Sequence, residues 1–405
     1  MLFIIGISML WAMMLVGMTG TSTAVFLMLV GFFIGLALDG HYRVALLSVS
    51  FISMLYLVGY TVPPVNLFSS WRSYMCSEML SYMDSDYAYI LIAMLVGDKS
   101  QLPREIYSAF QGAGIVHLLS VSGFHTSLWS MVVYRFFMSL GLGRRWSSVI
   151  SILFILGFMC LTGLAFSTVR AGLMFIVFFI GRAVSRTPNS LNSLGLAAIV
   201  ILVLSPSAGS DTGFLLSFFS TLGILVCFPR MSDWLSSYLS VFALSYPVKS
   251  FIRSVVSILF LQISTFVFTL PFVMLFIGET SLVAPLGNLL VSTIMSLAIF
   301  LSGVGIMLSV VPVLRVVTPM LLLISGLIVK AVIWVSQLLS SLPFAMMDIG
   351  SGYVKIGIAC AIVLCGFSVI LRGSVKRTVL LSMILCFSSI VAHYIVEYVA
   401  FINYL

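Results

Sequence analysis

Thirteen stretches of this sequence are long and apolar enough to cross a bilayer, and that pattern limits the fold more than any other feature in it. A transmembrane helix needs about 20 mainly apolar residues. Runs of suitable length fall near 1–18, 22–38, 43–61, 116–141, 146–164, 168–184, 189–206, 212–229, 254–277, 284–312, 316–342, 353–371 and 377–400. The 316–342 run is the weakest, because Lys330 interrupts it and its serines also fit an interfacial helix. Only 7% of the 405 residues are charged, against about 25% in soluble domains. Such a chain cannot coat a water-facing surface, which excludes a soluble enzyme, a disordered chain and a secreted disulfide scaffold. A porin-type barrel would alternate apolar and polar residues, whereas these runs are continuous. The expected fold is all-α, a polytopic integral membrane protein with about 11–13 transmembrane helices.

The sparse charges then set an orientation. If the runs cross in turn, Arg144, Arg145, Arg182, Arg186, Arg230, Lys249, Arg253, Arg315, Arg372, Lys376 and Arg377 fall on one side. With Arg43 and Arg135, that side holds 13 of the 19 basic residues and only Asp39 and Asp233 as acids. The positive-inside bias makes it cytoplasmic, with the N-terminus inside and the C-terminus outside. The net charge of +8 therefore orients the protein and supplies no basic mouth on the outer face. Met1-Leu2-Phe3-Ile4-Ile5-Gly6 lacks the basic region and cleavage site of a signal peptide and is expected to be a retained anchor. The cysteines at 76, 160, 227, 360, 365 and 386 form no Cys-x-x-Cys pair, and five lie in apolar runs, so neither a metal site nor a disulfide framework is expected.

Two segments do not read as spans. Residues 62–112 hold a polar stretch (Trp71 to Asp86), a short apolar run (Tyr87–Gly97) and then Asp98-Lys99-Ser100-Gln101-Leu102-Pro103-Arg104-Glu105. After Pro103, the spacing of Ile106, Phe110 and Ile115 predicts an amphipathic helix on or in the outer leaflet. Residues 233–253, with Trp234, Leu235, Tyr238, Leu239 and Phe242 among serines, predict an interfacial helix on the cytoplasmic side. The organisation expected is N-terminal transmembrane helices over 1–61, an outer-face polar and amphipathic segment over 62–112, a core over 113–345, and C-terminal transmembrane helices over 346–405.

In lipid, the informative residues are the polar ones. A charge at mid-bilayer costs roughly 2.5–3.5 kcal/mol on insertion scales, so it usually faces a cavity or a partner. The densest cluster is His117-Leu118-Leu119-Ser120-Val121-Ser122-Gly123-Phe124-His125. On an ideal helix His117 and His125 stand about 80° apart and roughly 12 Å along the axis, broadly on one face. Ser122-Gly123 between them predicts a kink or unwinding; the alternative is helix–helix packing by small and hydrogen-bonding side chains. Arg170 lies just inside another run, placed either to snorkel outward or to line a polar path. Asp211 and Glu279 sit at outer ends of runs, where Asp211 also suits an N-cap and Glu279 a solvated loop. Asn288, after Pro285-Leu286-Gly287, and Pro271 mark further places where backbone groups are freed. No phosphate loop, His-Glu-x-x-His or zinc pattern is present. Ser120-Val121-Ser122-Gly123 faintly resembles the Gly-x-Ser-Gly of rhomboid-type intramembrane proteases, with Ser120 in place of the first glycine.

Gly114 to His125 more closely resembles the His-Leu-Leu-x-x-Ser-Gly-x-His signature of ComEC-type competence proteins, channels for single-stranded DNA in the inner membrane. Leu95-Val96-Gly97-Asp98-Lys99-Ser100 is similar to that family's Leu-x-Gly-Asp-x-Ser, and Arg170-Ala171 to its Arg-Ala step. Ser205-Pro206, Asp211-Thr212-Gly213-Phe214-Leu215-Leu216-Ser217-Phe218, Leu270-Pro271 and Leu286-Gly287-Asn288-Leu289-Leu290 resemble later blocks in the same order. The resemblance implies a multi-pass protein of the inner (plasma) membrane, not an enzyme and without a cofactor, that passes single-stranded DNA during natural transformation. It implies a substrate path through His117, Ser122, Gly123, His125, Arg170, Asp211, Glu279 and Asn288, in which the imidazoles and Arg170 donate to phosphate and the two acids anchor those donors. It covers the channel domain, so the expectation is a chain without the family's oligonucleotide-binding and metallo-β-lactamase-like domains. The partners expected are single-stranded DNA, the bilayer, a DNA receptor, a separate nuclease or DNA-pulling ATPase, and further copies of the chain in a homo-oligomer. A transporter or flippase for another anionic substrate is the alternative, since it would use the same broken-helix logic.

Overall fold

The structure, a computed structural model, describes residues 2–20, 23–30, 40–59, 68–242, 245–277, 279–281, 283–342 and 345–348. The spans expected at 353–371 and 377–400, and the second half of 22–38, lie outside these residues. Helices α1 (Leu2–Thr19) and α2 (His41–Leu57) come first, followed by three short ones, α3 (Ser69–Tyr82), α4 (Ser85–Leu95) and α5 (Arg104–Gly112). Then come α6 (Gly123–Ser139), α7 (Arg144–Leu161), α8 (Phe166–Ala183), α9 (Ser190–Leu204), α10 (Thr212–Val241), α11 (Tyr246–Phe276), α12 (Ala284–Ser309) and α13 (Thr318–Ser340). Strands β1 (Glu279–Ser281) and β2 (Met346–Asp348) form a small antiparallel ladder with Glu279 opposite Asp348. Among the described residues six helices, α7, α8 and α10 to α13, are long and apolar enough to cross a membrane. The fold is polytopic and all-α as expected, and Lys330 does not interrupt α13.

Apolar runs become helices because a chain in lipid must satisfy its backbone hydrogen bonds within each segment. Their starts are marked by side chains that accept from otherwise unpaired N–H groups. Asp84 Oδ1 accepts from Asp86 N at 3.1 Å, Asn189 Oδ1 from Asn192 N at 3.0 Å, and Asp211 Oδ1 from Phe214 N at 2.7 Å. Packing in lipid relies on close fit rather than on water exclusion. Gly6 of α1 and Gly195 of α9 accordingly meet backbone to backbone, and a Cβ on either would overlap the other helix. Further along, Phe219 of α10 stacks on Phe272 of α11 at 4.1 Å, an arrangement worth about 0.5–1.5 kcal/mol beyond area burial.

The long helices alternate in direction. Gly123 at the start of α6 meets Arg170 near the start of α8, and Arg170 meets Ser217 near the start of α10. The stacked Phe219–Phe272 pair brings the end of α11 back to that level. Gly287, in the first turn of α12, packs against Ala113 and Ile115 just before α6. The beginnings of α6, α8 and α10 therefore gather at one end of the bundle, whereas α12 meets α6 in its second half, where Gly303 and Phe300 pack against Trp129.

The described residues of the polar and amphipathic segment, 68–112, pack into the bundle. Tyr74 of α3 hydrogen-bonds Ser309 at the far end of α12 (2.8 Å), and Glu78 pairs with Arg315 just beyond it (3.2 Å). The chain turns at Asp84, and α4 runs back until Gly97 lies against Thr162 and Val121. Seven of the eleven α4 residues are buried, which a helix resting on a surface could not achieve. Helices α3 and α4 thus form a hairpin that enters the bundle and returns. The predicted amphipathic helix is α5, with Ile106, Ala109 and Phe110 buried and Arg104, Glu105 and Tyr107 exposed.

The described residues of 233–253 do not form a separate interfacial helix. They belong to the last turns of α10, which ends at Val241, and the first of α11, which begins at Tyr246. Leu235 and Leu239 are buried in this pair, so packing extends both long helices through the stretch. Pro247 stands in the first turn of α11, where its missing N–H costs nothing.

Candidate functional site

The region 116–125 is a broken helix. Val116–Leu119 makes one 3-10 turn, Ser120 (φ −137°, ψ 154°) and Ser122 (φ −100°, ψ 162°) are extended, and α6 starts at Gly123. The single helix that would have set His117 and His125 on one face does not form. Ser122 is the N-cap: its Oγ accepts from His125 N (3.4 Å), while Ser122 N donates to His125 Nδ1 (3.3 Å). This is a capping box with histidine in the usual place of glutamate. It folds the buried His125 ring back onto the break. His117, in the 3-10 turn, is exposed. Ser167 Oγ, from the first turn of α8, donates to Val121 O at 2.7 Å and ties the extended segment to its neighbour.

Arg170 reaches this break from α8. Its side chain is 6% exposed; Nε donates to Ser217 Oγ at 2.9 Å, and Nη1 donates to Thr221 Oγ1 and contacts Met174 Sδ at 3.8 Å. Nη2 lies over Gly123, where a Cβ would stand 2.5 Å from it. Glycine at 123 is therefore a space requirement of the guanidinium as well as a weak point in the helix. Among the described residues no carboxylate lies within 4 Å of Arg170. The buried cation is held by neutral hydroxyls.

The structure gathers Ser122, Gly123, His125 and Arg170, with His117 beside them. Asp211 is exposed and caps α10 with its carboxylate, and Ser217 and Thr221 are the groups that anchor Arg170. Glu279 lies on β1, paired through its backbone with Asp348. Asn288 sits in the first turns of α12, and its Oδ1 is buried without a protein partner. Two further buried polar atoms on the converging helices, Trp129 Nε1 and Thr168 Oγ1, are also unpartnered. Each is a place where water or a ligand group would be favoured. Ser217 and Thr221 were missed in the sequence, although two hydroxyls four positions apart in an apolar run share one helix face. Among the described residues no group of three or more His, Cys, Asp and Glu is placed to hold a metal ion.

A cavity of about 550 Å³ lies beside the break, lined by Arg72, Ser73, Cys76, Val96, Gly97, Asp98 and Thr162. Arg72 Nε donates to Leu161 O (2.7 Å) and Nη2 to Cys160 O (3.2 Å), satisfying the last carbonyls of α7. Asp98 Oδ1 accepts from Ser100 N at 2.9 Å. That N–H and the Ser100 side chain, with a smaller effect from Arg72, hold the Asp98 carboxyl below its ordinary range.

A family model described as "Competence protein" matches residues 94–373, a stretch that includes the broken helix, Arg170 and its hydroxyl partners. The chain is also similar to ComE operon protein 3 of Bacillus subtilis (strain 168), at 34% identity over 149 residues. That match covers 37% of this chain and 19% of the relative, so the chain spans about one fifth of the relative's length. No solved structure matches.

Proposed function

The chain belongs to the competence protein family, and from that premise we propose that it acts in DNA uptake, as an inner-membrane channel component that passes single-stranded DNA during natural transformation. The observation that carries this reading is Arg170, a buried guanidinium without a carboxylate among the described residues, set against the opened start of α6. An uncompensated charge in a low-dielectric interior is costly, and in membrane proteins such residues mark substrate and ion paths. A phosphate passing the break would accept from Nη2 and supply a counter-charge. His117 lies beside the break, and Ser122-Gly123 removes helix where a strand needs room. In this reading a separate receptor brings the strand to the outer end, and a nuclease and a DNA-pulling ATPase act as partners.

The test is transformation frequency for Arg170→Ala, His125→Ala and Asp211→Ala at unchanged membrane abundance. The first two should fall well below wild type. Asp211→Ala should fall least, because its carboxylate only caps a helix. Normal uptake in both of the first two would overturn the site. Vesicles containing the protein should pass a labelled single-stranded oligonucleotide, whereas passage of a labelled lipid-linked anion in its place would favour the transporter class.

A further inference from the structure

Helices α10 and α11 are 30 and 31 residues long, about 45 Å each, against roughly 30 Å of hydrocarbon. Arg170 of α8 stands level with Ser217 and Thr221 of α10. Thirteen residues further on α8 ends at Ala183, and the same advance along α10 reaches residues 230–234. The remaining residues carry the pair some 10–16 Å past its neighbour. The charge bias makes this end cytoplasmic.

The projecting part carries two rows of side chains. On α10, Trp234 and Tyr238 stand four residues apart, with Arg230 one such step before them and Phe242 just past the helix end. Trp234 and Tyr238 stack at 5.5 Å and 14°, and Tyr238 meets Phe242 at 5.1 Å. All three are open, at 59%, 52% and 43% exposure. On α11, Lys249, Arg253 and Phe260 lie within about 40° of one another around the helix, and the Phe260 ring meets Trp234 at 6.2 Å. The basic row of α11 therefore lines the same side of the pair as the aromatic row of α10. The acid Asp233 points about 100° away from Trp234 on an ideal helix.

We propose that this end of the α10–α11 pair is a groove for single-stranded nucleic acid, with bases stacking on the aromatic row and phosphates meeting Arg230, Lys249 and Arg253. The proposal rests on the channel reading above and deepens it, by giving the emerging strand a landing site. Exposed aromatic rings beside a basic track are the chemistry that holds single strands without regard to sequence. A membrane-interface anchor would place its rings at one depth, whereas this row extends about 12 Å along the helix axis.

The experiment uses the full chain in lipid nanodiscs and a fluorescein-labelled oligo-dT as probe. Trp234→Ala with Tyr238→Ala should weaken binding by about 5- to 150-fold for each stacked base lost. Trp234→Phe with Tyr238→Phe, which keeps the rings, should restore most of it. Lys249→Gln with Arg253→Gln should lower the salt dependence by about 0.7 for each phosphate contact removed. Unchanged binding in the alanine pair, while wild-type vesicles still pass the oligonucleotide, would overturn the groove and leave the channel standing. Wild-type protein that neither binds nor passes DNA would overturn the channel reading itself. Quenching of Trp234 fluorescence by brominated lipid, judged against Trp234→Phe, would assign the row to the bilayer surface and also overturn the groove.

Discussion

Gly123→Ala sets two effects against each other at one atom. A Cβ there would stand 2.5 Å from Arg170 Nη2, while ordinary contact begins at 3.4 Å, so the guanidinium must give by about 0.9 Å. The tip of an arginine is normally free to move by that much. Here Ser217 and Thr221 pin it, and a rigid fork displaced so far cannot keep both bonds within hydrogen-bond range. Losing one bond to a charged group costs about 1.5–3 kcal/mol. Replacing glycine by alanine in a helix returns roughly 0.5–1 kcal/mol. The expected net destabilisation is about 0.5–2.5 kcal/mol, read from the unfolding midpoint in detergent. In an Arg170→Met background the obstructed group is gone, and the same alanine should be neutral or stabilising by up to about 1 kcal/mol. A double-mutant cycle isolates the difference. If Gly123→Ala changes stability equally in both backgrounds, within about 0.3–0.5 kcal/mol, the wedge between Gly123 and Arg170 is not real.

Two further outcomes follow from the capping groups around the break. Ser122→Ala removes the acceptor for His125 N and should cost about 1 kcal/mol, whereas Ser122→Asp, which keeps an acceptor there, should recover most of it; equal losses in both variants would count against the cap. Asp98 has its folded pKa depressed, so its contribution to stability is fully present above the unfolded carboxylate value of about 3.9 and is lost as pH falls through the folded value. Wild type should therefore exceed Asp98→Asn in thermal stability at pH 7, and the two should converge under strongly acid conditions; a gap that widens on acidification would refute the sign.

Much of the architecture could be read from single runs, because a helix in lipid is dictated by local composition. The break at Ser122-Gly123 was also legible, since hydroxyl, glycine and imidazole side by side weaken a helix wherever it packs. What could not be read is which hydroxyl faces which cation. Ser217 and Thr221 stand 47 and 51 positions from Arg170, and no spacing within one chain ties them together. The packing of the α3–α4 hairpin is not legible either: the polar groups between Trp71 and Asp86 are met by Ser309, Arg315 and the carbonyls of Leu161 and Cys160, all distant in the chain. The 233–253 segment was misread for a related reason: its serines and aromatics look interfacial until a second long helix is laid beside them.

The distance along the chain between the hairpin and those partners bears on how the protein is made. Glu78 and Arg315 are 237 residues apart, and at about 5–20 residues per second the second is synthesised roughly 12–47 s after the first. Until α12 and α13 have been made, α3 and α4 have their contacts with Cys160, Leu161 and Thr162 but lack those with Ser309 and Arg315. The hairpin therefore gains its partners in two instalments, the first from helices made soon after it and the second only when most of the chain has been synthesised.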